Sequence, residues 1–190
     1  MFFPTDILRA ALHCVAGENE TREYLKGVHI TPTHIKATDG RALVMMEHRA
    51  KTNINAVFVV HGKISPNAEG TFIENTDGAW VAIHVDENMK TVGTSNLEKM
   101  DCCYPDFTKL LPPKPEPWEE VPIFSARLLA LPQLMFGTGL PVKLKPYGSS
   151  APCLVMIDPA TSRFYGNPFL VIMPMHDNAF EICRKVFDEK

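Results

Sequence analysis

The sequence predicts an α+β fold of antiparallel sheets carrying a few helices, on three observations. Short apolar segments with strand character follow one another across tight turns, the connection that antiparallel pairs use. Helical periodicity appears only at the start, after a proline-rich stretch and at the end. The order helix-then-meander also occurs twice, before and after that stretch, without residue identity between the two passes.

The elements follow from local chemistry. Ile7, Leu8, Ala11, Leu12 and Val15 recur at helical spacing over Asp6 to Val15, with an acid in the first turn and Gly17 past the end. Strands are predicted at Lys26 to Thr31, His34 to Thr38, Ala42 to His48 and Ala56 to His61, broken by Thr31-Pro32, Asp39-Gly40 and Lys51 to Asn55. A second run is predicted at Thr71 to Glu74, Ala79 to Val85 and Met89 to Gly93, turning at Asp77-Gly78 and Asp86 to Asn88. Pro112, Pro113, Pro115, Pro117 and Pro122 cannot sit inside a helix or a central strand, so 112–122 reads as a stiff extended linker rather than a PxxP ligand. Ser125 is placed to cap a helix carrying Leu128, Leu129, Leu131, Leu134 and Met135, which Pro132 should kink or shorten and Gly137 should end. Strands are then predicted at Val142 to Lys145, Cys153 to Ile157, Arg163 to Tyr165 and Phe169 to Met173. A last amphipathic helix is marked by Asn178 and Glu181 as a capping box, with Ala179, Ile182, Cys183, Val186 and Phe187 on one face.

Composition bounds the function. The 190 residues are 45% hydrophobic and 22% charged, enough to bury a full core and far from disordered or collagen-like chains. Lys and Arg total 19 against 22 Asp and Glu, a net charge of -3, so no global positive field holds nucleic acid. Apolar runs such as Phe169 to Met175 fall well short of the roughly 20 residues of a membrane span. Pro4, Asp6 and Arg9 stand where the core of a secretion signal would lie, so the expected setting is the cytoplasm, with no membrane partner.

The residues argue against catalysis. The 5 cysteines are odd in number and lack metal-ligand spacing, so they read as reduced thiols. The 7 histidines form no HExxH and no short ligand pair. GxGxxG, GxxxxGK[ST] and GxSxG are all missing from the sequence. The expectation is a protein that is not an enzyme and uses no cofactor or metal. The alternative from another class is a cysteine-dependent hydrolase using Cys102 or Cys103 with His84 or His61 as base, for which no activating context is visible.

Three motifs carry a resemblance. Tyr24-Leu25-Lys26-Gly27-Val28, followed by Ile35-Lys36-Ala37-Thr38-Asp39-Gly40-Arg41-Ala42-Leu43, resembles the middle domain of the bacterial DNA sliding clamp, the DNA polymerase III beta subunit, with its YLNG-like strand and ATDGHRL turn. Tyr104-Pro105-Asp106-Phe107-Thr108-Lys109-Leu110-Leu111-Pro112 is similar to the FPDYRRVLP that ends that domain. Ala151-Pro152-Cys153-Leu154-Val155 with Phe169-Leu170-Val171-Ile172-Met173-Pro174-Met175 resembles the VVMPM that closes the last domain. All three stand in family order.

The resemblance implies a DNA clamp-like fold of beta-alpha-beta-beta-beta half-domains: 1–111 as a clamp-like domain, 112–122 as linker, 123–175 as a further half-domain and 176–190 as a C-terminal helix. In the second half, 62–70 replaces the family's helix, and its proline and glycines argue against one. The implied function is that of a replication accessory protein that modulates polymerase processivity, with peptide motifs of DNA polymerase or other replication and repair proteins as partners. The resemblance also implies a homo-oligomer, since one chain supplies too few halves for the family's ring. Duplex DNA is a further implied partner, for which Arg9 and Arg127 are the only basic residues on the helices that would face it. The peptide site carries over to Leu25, Thr38, Gly40, Leu43, Pro105, Leu110, Val171, Met173, Pro174 and Met175. An apolar cleft with adaptable Met suits Leu and Phe anchors. Arg41-Ala42-Leu43 stands in place of His-Arg-Leu, and a one-residue shift in a strand turns a side chain to the other face, so Arg41 is left out of the site; Lys109 replaces an arginine. The helix after Met175 lies beyond the family's pattern and is placed to cover the cleft or to bind a second subunit. The alternative within the binding class is a fold-only structural or regulatory subunit that competes with a host clamp.

Overall fold

A computed structural model of the chain describes residues 1–107 and 110–188, with side chains described to residue 184. The elements run β1 (Phe2–Pro4), α1 (Thr5–Leu12), β2 (Val28–Ile30), β3 (His34–Thr38), β4 (Ala42–Glu47), β5 (Ala56–His61), β6 (Gly70–Thr76), β7 (Ala79–Val85) and β8 (Thr91–Met100). Then come α2 (Ala126–Phe136), β9 (Val142–Lys145), β10 (Cys153–Ile157), α3 (Pro159–Phe164), β11 (Phe169–Ile172) and α4 (Ala179–Asp188). All strands belong to one 11-stranded sheet in the order β1-β6-β7-β8-β5-β2-β3-β4-β11-β10-β9, and every pair of named strands is antiparallel. The fold is therefore α+β, as the spacing of strands and turns predicts.

β1 to β4 form a first unit, β5 to β8 a second, and α2 onward the last; β1 pairs with β6 and β5 with β2, so the first two units are joined by two strand pairs. The second unit has no helix between β5 and β6, as Pro66 and the flanking glycines lead one to expect. That connection is fastened instead from α1. Arg9 donates to the carbonyls of Ser65 at 2.5 Å and Pro66 at 3.2 Å, and the Thr5 N–H donates to the Glu69 carbonyl at 2.9 Å.

Strand register sorts side chains onto two faces. Ala37, Val44, Leu170 and Val155 lie directly opposite one another across β3, β4, β11 and β10, and Ala42, Ile172 and Cys153 form the next row. All are buried, and with Ile7, Leu8 and Ala11 of α1 and Leu128, Leu131 and Met135 of α2 they make the core. Both helices thus cover the same face of the sheet. Pro132 does not end α2, which runs on to Phe136, because Leu128, Leu131, Met135 and Phe136 are all buried against the core. Each such apolar side chain contributes roughly 1.5–3 kcal/mol when fully buried, enough to hold a proline-containing helix together.

Several expectations differ from the structure. Ser125 stands at the start of α2, but its side chain makes no capping hydrogen bond. Residues 163–165 are not a strand: α3 occupies 159–164, started by Asp158, whose side chain accepts from the N–H groups of Ala160 at 3.0 Å and Thr161 at 3.1 Å, with Pro159 at the first helical position. The strand expected over Met89 to Gly93 is β8, which continues to Met100 because it lies between β7 and β5 and hydrogen-bonds to both. β1 lay outside the sequence pattern, three residues that exist only as a partner of β6. The first helix starts at Thr5 and ends at Leu12. The sharp return into β11 uses Gly166, at φ 69°, where a Cβ would stand 1.9 Å from the Glu47 carbonyl oxygen.

A buried polar chain links the first two units. Thr5 Oγ1 and Thr71 Oγ1 lie 2.8 Å apart, Thr71 Oγ1 is 3.0 Å from His84 Nδ1, and His84 Nε2 is 2.9 Å from Ser95 Oγ. Burial, with the positive charge of Arg9 adding to it, holds the His84 imidazole below its ordinary 6.5. The unfolded chain therefore takes up this proton more readily than the folded one, so stability is whole above about pH 6.5 and falls as the pH drops through the folded value. His13, His29 and His34 are lowered by burial too and add to the slope. His84→Gln is expected to lose about 1–3 kcal/mol at neutral pH and to show a shallower fall in urea midpoint between about pH 7.5 and 5.5. Equal slopes in the two proteins would remove His84 from the pH dependence.

Candidate functional site

The sheet face away from α1 and α2 carries a row of its own. Thr38 lies opposite Leu43 in the β3–β4 ladder, and Leu43 opposite Val171 in the β4–β11 ladder. Their exposures are 3%, 3% and 2%, although they lie on the face away from α1 and α2. What covers them is irregular chain. Leu25 closes one side, from the single 3-10 turn Glu23–Leu25, and Pro105, Phe107 and Leu110, from the stretch that follows β8, close another. That segment is braced by rings: Tyr104 stacks on His29 at 4.4 Å between centroids and meets Phe107 edge-on at 5.7 Å and Tyr24 at 6.2 Å.

The cover is incomplete and leaves a cleft of about 300 Å³. Leu25, Thr38, Gly40, Leu43, Pro105, Leu110, Val171 and Met173 line it, eight of the ten residues assigned from sequence. Pro174 and Met175 do not reach it. They turn into a second hollow of about 270 Å³ beside Ser125 and Leu128 of α2 and Ala179, Ile182 and Cys183 of α4. Met173 and Arg41 border both spaces. The strap between them is pinned by its backbone, the Met173 N–H donating to the Arg41 carbonyl at 2.8 Å and the Met175 N–H to the Ile123 carbonyl at 2.7 Å. α4 thus stands beside the cleft and walls its neighbour. Val186 and Phe187, expected on the same helix face, lie outside the described side chains, and Thr108 and Lys109 outside the described residues.

The β3–β4 turn shapes the rim. Thr38 Oγ1 donates to the Ala42 carbonyl at 2.6 Å and accepts from the Gly40 N–H at 3.1 Å. Asp39 Oδ1 accepts from the N–H groups of Arg41 at 2.8 Å and Ala42 at 2.7 Å. Gly40 takes φ 85°, and a Cβ there would lie 3.3 Å from an Arg22 guanidinium nitrogen. Arg22 grips Glu20 through its Nε at 2.9 Å and Nη2 at 3.0 Å, which holds the Glu20 carboxyl down to about 2. Arg127 of α2 reaches across to Asp39 Oδ2.

No protein-family model and no curated protein matches the sequence. Solved structures do. The DNA polymerase sliding clamp of Pseudomonas aeruginosa with ligand superposes with TM-score 0.62 at 14% identity, over 93% of this chain and 65% of that one. The DNA polymerase sliding clamp of Bacillus subtilis gives 0.59 at 17%, over 93% and 64%, and the Helicobacter pylori beta clamp bound to a DNA ligase peptide gives 0.56 at 13%, over 92% and 65%. This chain has the bacterial sliding-clamp fold. It spans 64–65% of the length of these clamps.

Within this clamp fold the cleft also takes in Arg22, Tyr24, Arg41, Ala42 and Phe107, which the sequence assignment omitted. Tyr24 and Phe107 stand inside the matched motifs. Arg41 stands in the turn just before β4 and borders the cleft, whereas Ala42, the first residue of the strand, packs in the core. Arg9 and Arg127, assigned as DNA-facing, are both held within the chain, Arg9 by Asp6 at 2.7 Å and the loop carbonyls, Arg127 by Asp39. Among the described residues no hydrogen bond joins Cys102 or Cys103 to a histidine: both His84 nitrogens are bonded to Thr71 and Ser95, and His61 pairs with Glu98 at 2.8 Å. Burial, then the charges of Glu23, Asp101 and Cys103, pushes the Cys102 thiol up, away from thiolate. No helix among the described residues is long and apolar enough to cross a membrane.

Asp39→Ala removes the acceptor of two backbone donors and of Arg127 together, and is expected to lower stability by about 1–3 kcal/mol. Arg127→Ala leaves the turn bonded and removes only a half-exposed guanidinium, for an expected cost under about 1 kcal/mol. Urea denaturation of both variants measures this; equal losses would mean that the turn's own bonds add nothing.

Proposed function

We propose that this chain is a non-enzymatic, clamp-like accessory protein of DNA replication that receives short peptide segments of replication or repair proteins in the cleft over β4 and β11. The observation that carries this reading is the convergence of eight motif residues, drawn from three separate stretches of sequence, on one apolar cleft. Its floor is formed by Leu43 and Val171, its flank by the flexible thioether of Met173, and its rim by the backbone of Gly40. A cleft of this size and lining takes one or two aliphatic or aromatic side chains of an extended peptide. The clamp fold supports the reading, as does a beta clamp of that fold bound to a DNA ligase peptide.

The proposal stops short of DNA. Arg9 and Arg127 are engaged inside the chain, and the net charge is -3.

Titration of a fluorescent peptide with Leu and Phe anchors, read by anisotropy, tests the reading. Met173 is half-buried, so Met173→Ala should keep the fold and weaken binding by about five-fold or more. Leu43 is 3% exposed, and Leu43→Ala should weaken binding too while lowering stability by about 2–4 kcal/mol. An intact fold with no saturable binding at high micromolar protein would leave these residues as core and end the peptide reading.

A further inference from the structure

Side chains with soft donor atoms gather at one place outside the cleft. Met173, Met175, His176 and Cys183 all border the hollow of about 270 Å³ beside α4. They reach it from two elements. Met173, Met175 and His176 follow β11 along the strap, and Cys183 shares a face of α4 with Ala179 and Ile182, at the i, i+3 and i+4 positions that are neighbours on a helix. The strap is held by its backbone, through the bonds from the Met173 and Met175 N–H groups to Arg41 and Ile123. The start of α4 is held as well, with Ala179 buried and its N–H donating to the His176 carbonyl at 2.9 Å. The donor atoms themselves are unengaged: among the described residues no hydrogen bond or ion pair takes the His176 imidazole, the Cys183 thiol or either thioether.

The chemistry of this set selects one class of ion. Cysteine supplies a thiolate, histidine a neutral ring nitrogen, and methionine a polarisable thioether that binds well only to a soft ion. Calcium and magnesium require oxygen ligands, and no carboxylate lines the hollow. A structural zinc ion takes four ligands from Cys, His, Asp and Glu, whereas no group of three or more of these residues among those described could hold a metal ion. Monovalent copper accepts a thiolate, an imidazole and thioethers together. Half of the donors are methionine sulfurs, so spacing rules written for His and Cys pairs pass over them.

We propose that the hollow beside α4 binds monovalent copper, with the Cys183 thiolate, the His176 imidazole and the Met175 thioether as ligands and Met173 as a fourth donor. Binding forms the copper–sulfur and copper–nitrogen bonds, releases the Cys183 proton to solvent and leaves the oxidation state of the metal unchanged. Thiolate and ion are together neutral, so the positive charge of Arg41 at the border of the hollow does not oppose the bound pair, and it favours the thiolate over the thiol. Ligation also ties the strap to α4, whose Phe180 and Ile182 are 73% and 52% exposed. The site stands independently of the peptide reading.

The test is competition for Cu(I), without oxygen and with a reductant present, between the full chain and a chromophoric Cu(I) chelator. Cys14 and Cys153 are buried, which leaves Cys102 and Cys103 as the other accessible thiols. The reference protein therefore carries Cys102→Ser and Cys103→Ser. It is expected to bind a single Cu(I) per chain, more tightly than Zn(II), and to melt at a higher temperature as Cu(I) is added. Cys183→Ser in this background should weaken binding by more than about ten-fold, and His176→Ala and Met175→Ala each by a smaller but measurable factor. All three side chains are exposed, so the metal-free variants should melt with the reference protein. Loss of Cu(I) binding on replacing Cys102 and Cys103, binding indifferent to Cys183→Ser, or Zn(II) held as tightly as Cu(I) overturns the proposal. An affinity unmoved by both His176→Ala and Met175→Ala, the mark of a lone thiol, overturns it too.

Discussion

The antiparallel pairing of β4 with β11 is the constraint on which the rest depends. It sets Leu43 against Val171 and Ala42 against Ile172, and so joins the chain before the proline-rich stretch to the chain after it in one sheet. A slip of one residue would exchange the two faces. Ala42 and Ile172 would leave the layer beneath α1 and α2, and Leu43 and Val171 would enter it. Core and cleft are therefore two sides of a single register, which explains why the residues of both are interleaved along β4.

The β3–β4 turn is the second joint. Thr38 and Asp39 fold it with their own side chains, and Asp39 has an oxygen left over for Arg127 of α2. The helix of the last unit is thereby tied to a turn of the first, beside the mouth of the cleft. The same arrangement leaves Arg41 without a carboxylate, because the only acid within its turn is already used. Positive charge at the rim is thus a consequence of how the turn is built.

The cleft itself is a shortfall of cover. Leu43 and Val171 face away from α1 and α2 and are shielded by Leu25 of the 3-10 turn on one side and by Pro105, Phe107 and Leu110 on the other. Rings of Tyr24, His29, Tyr104 and Phe107 hold that cover in place. Chain of this kind excludes water from a strand without filling the space above it. The Met173 to Met175 strap then divides that space from the hollow under α4.

Much of this was legible in the residues. Ala42-Leu43-Val44-Met45-Met46 is apolar at every position, the mark of a strand with both faces in use, and the three motifs contain eight of the residues that line the cleft. Asp158-Pro159 carried a helix start that strand propensity in Arg163 to Tyr165 obscured. Strand type and turn position are set by neighbours a few residues apart, so the sequence alone determined most of them. The three residues of β1, the reach of β8, the His84 chain and the division of the Met173 to Met175 strap between two spaces depend on partners distant along the chain, such as Thr5 with Thr71 and Met175 with Ile123. Such contacts leave no periodicity behind, because a hydrogen bond or a ring contact needs only one well-placed partner, and only the tertiary structure decides where that partner stands.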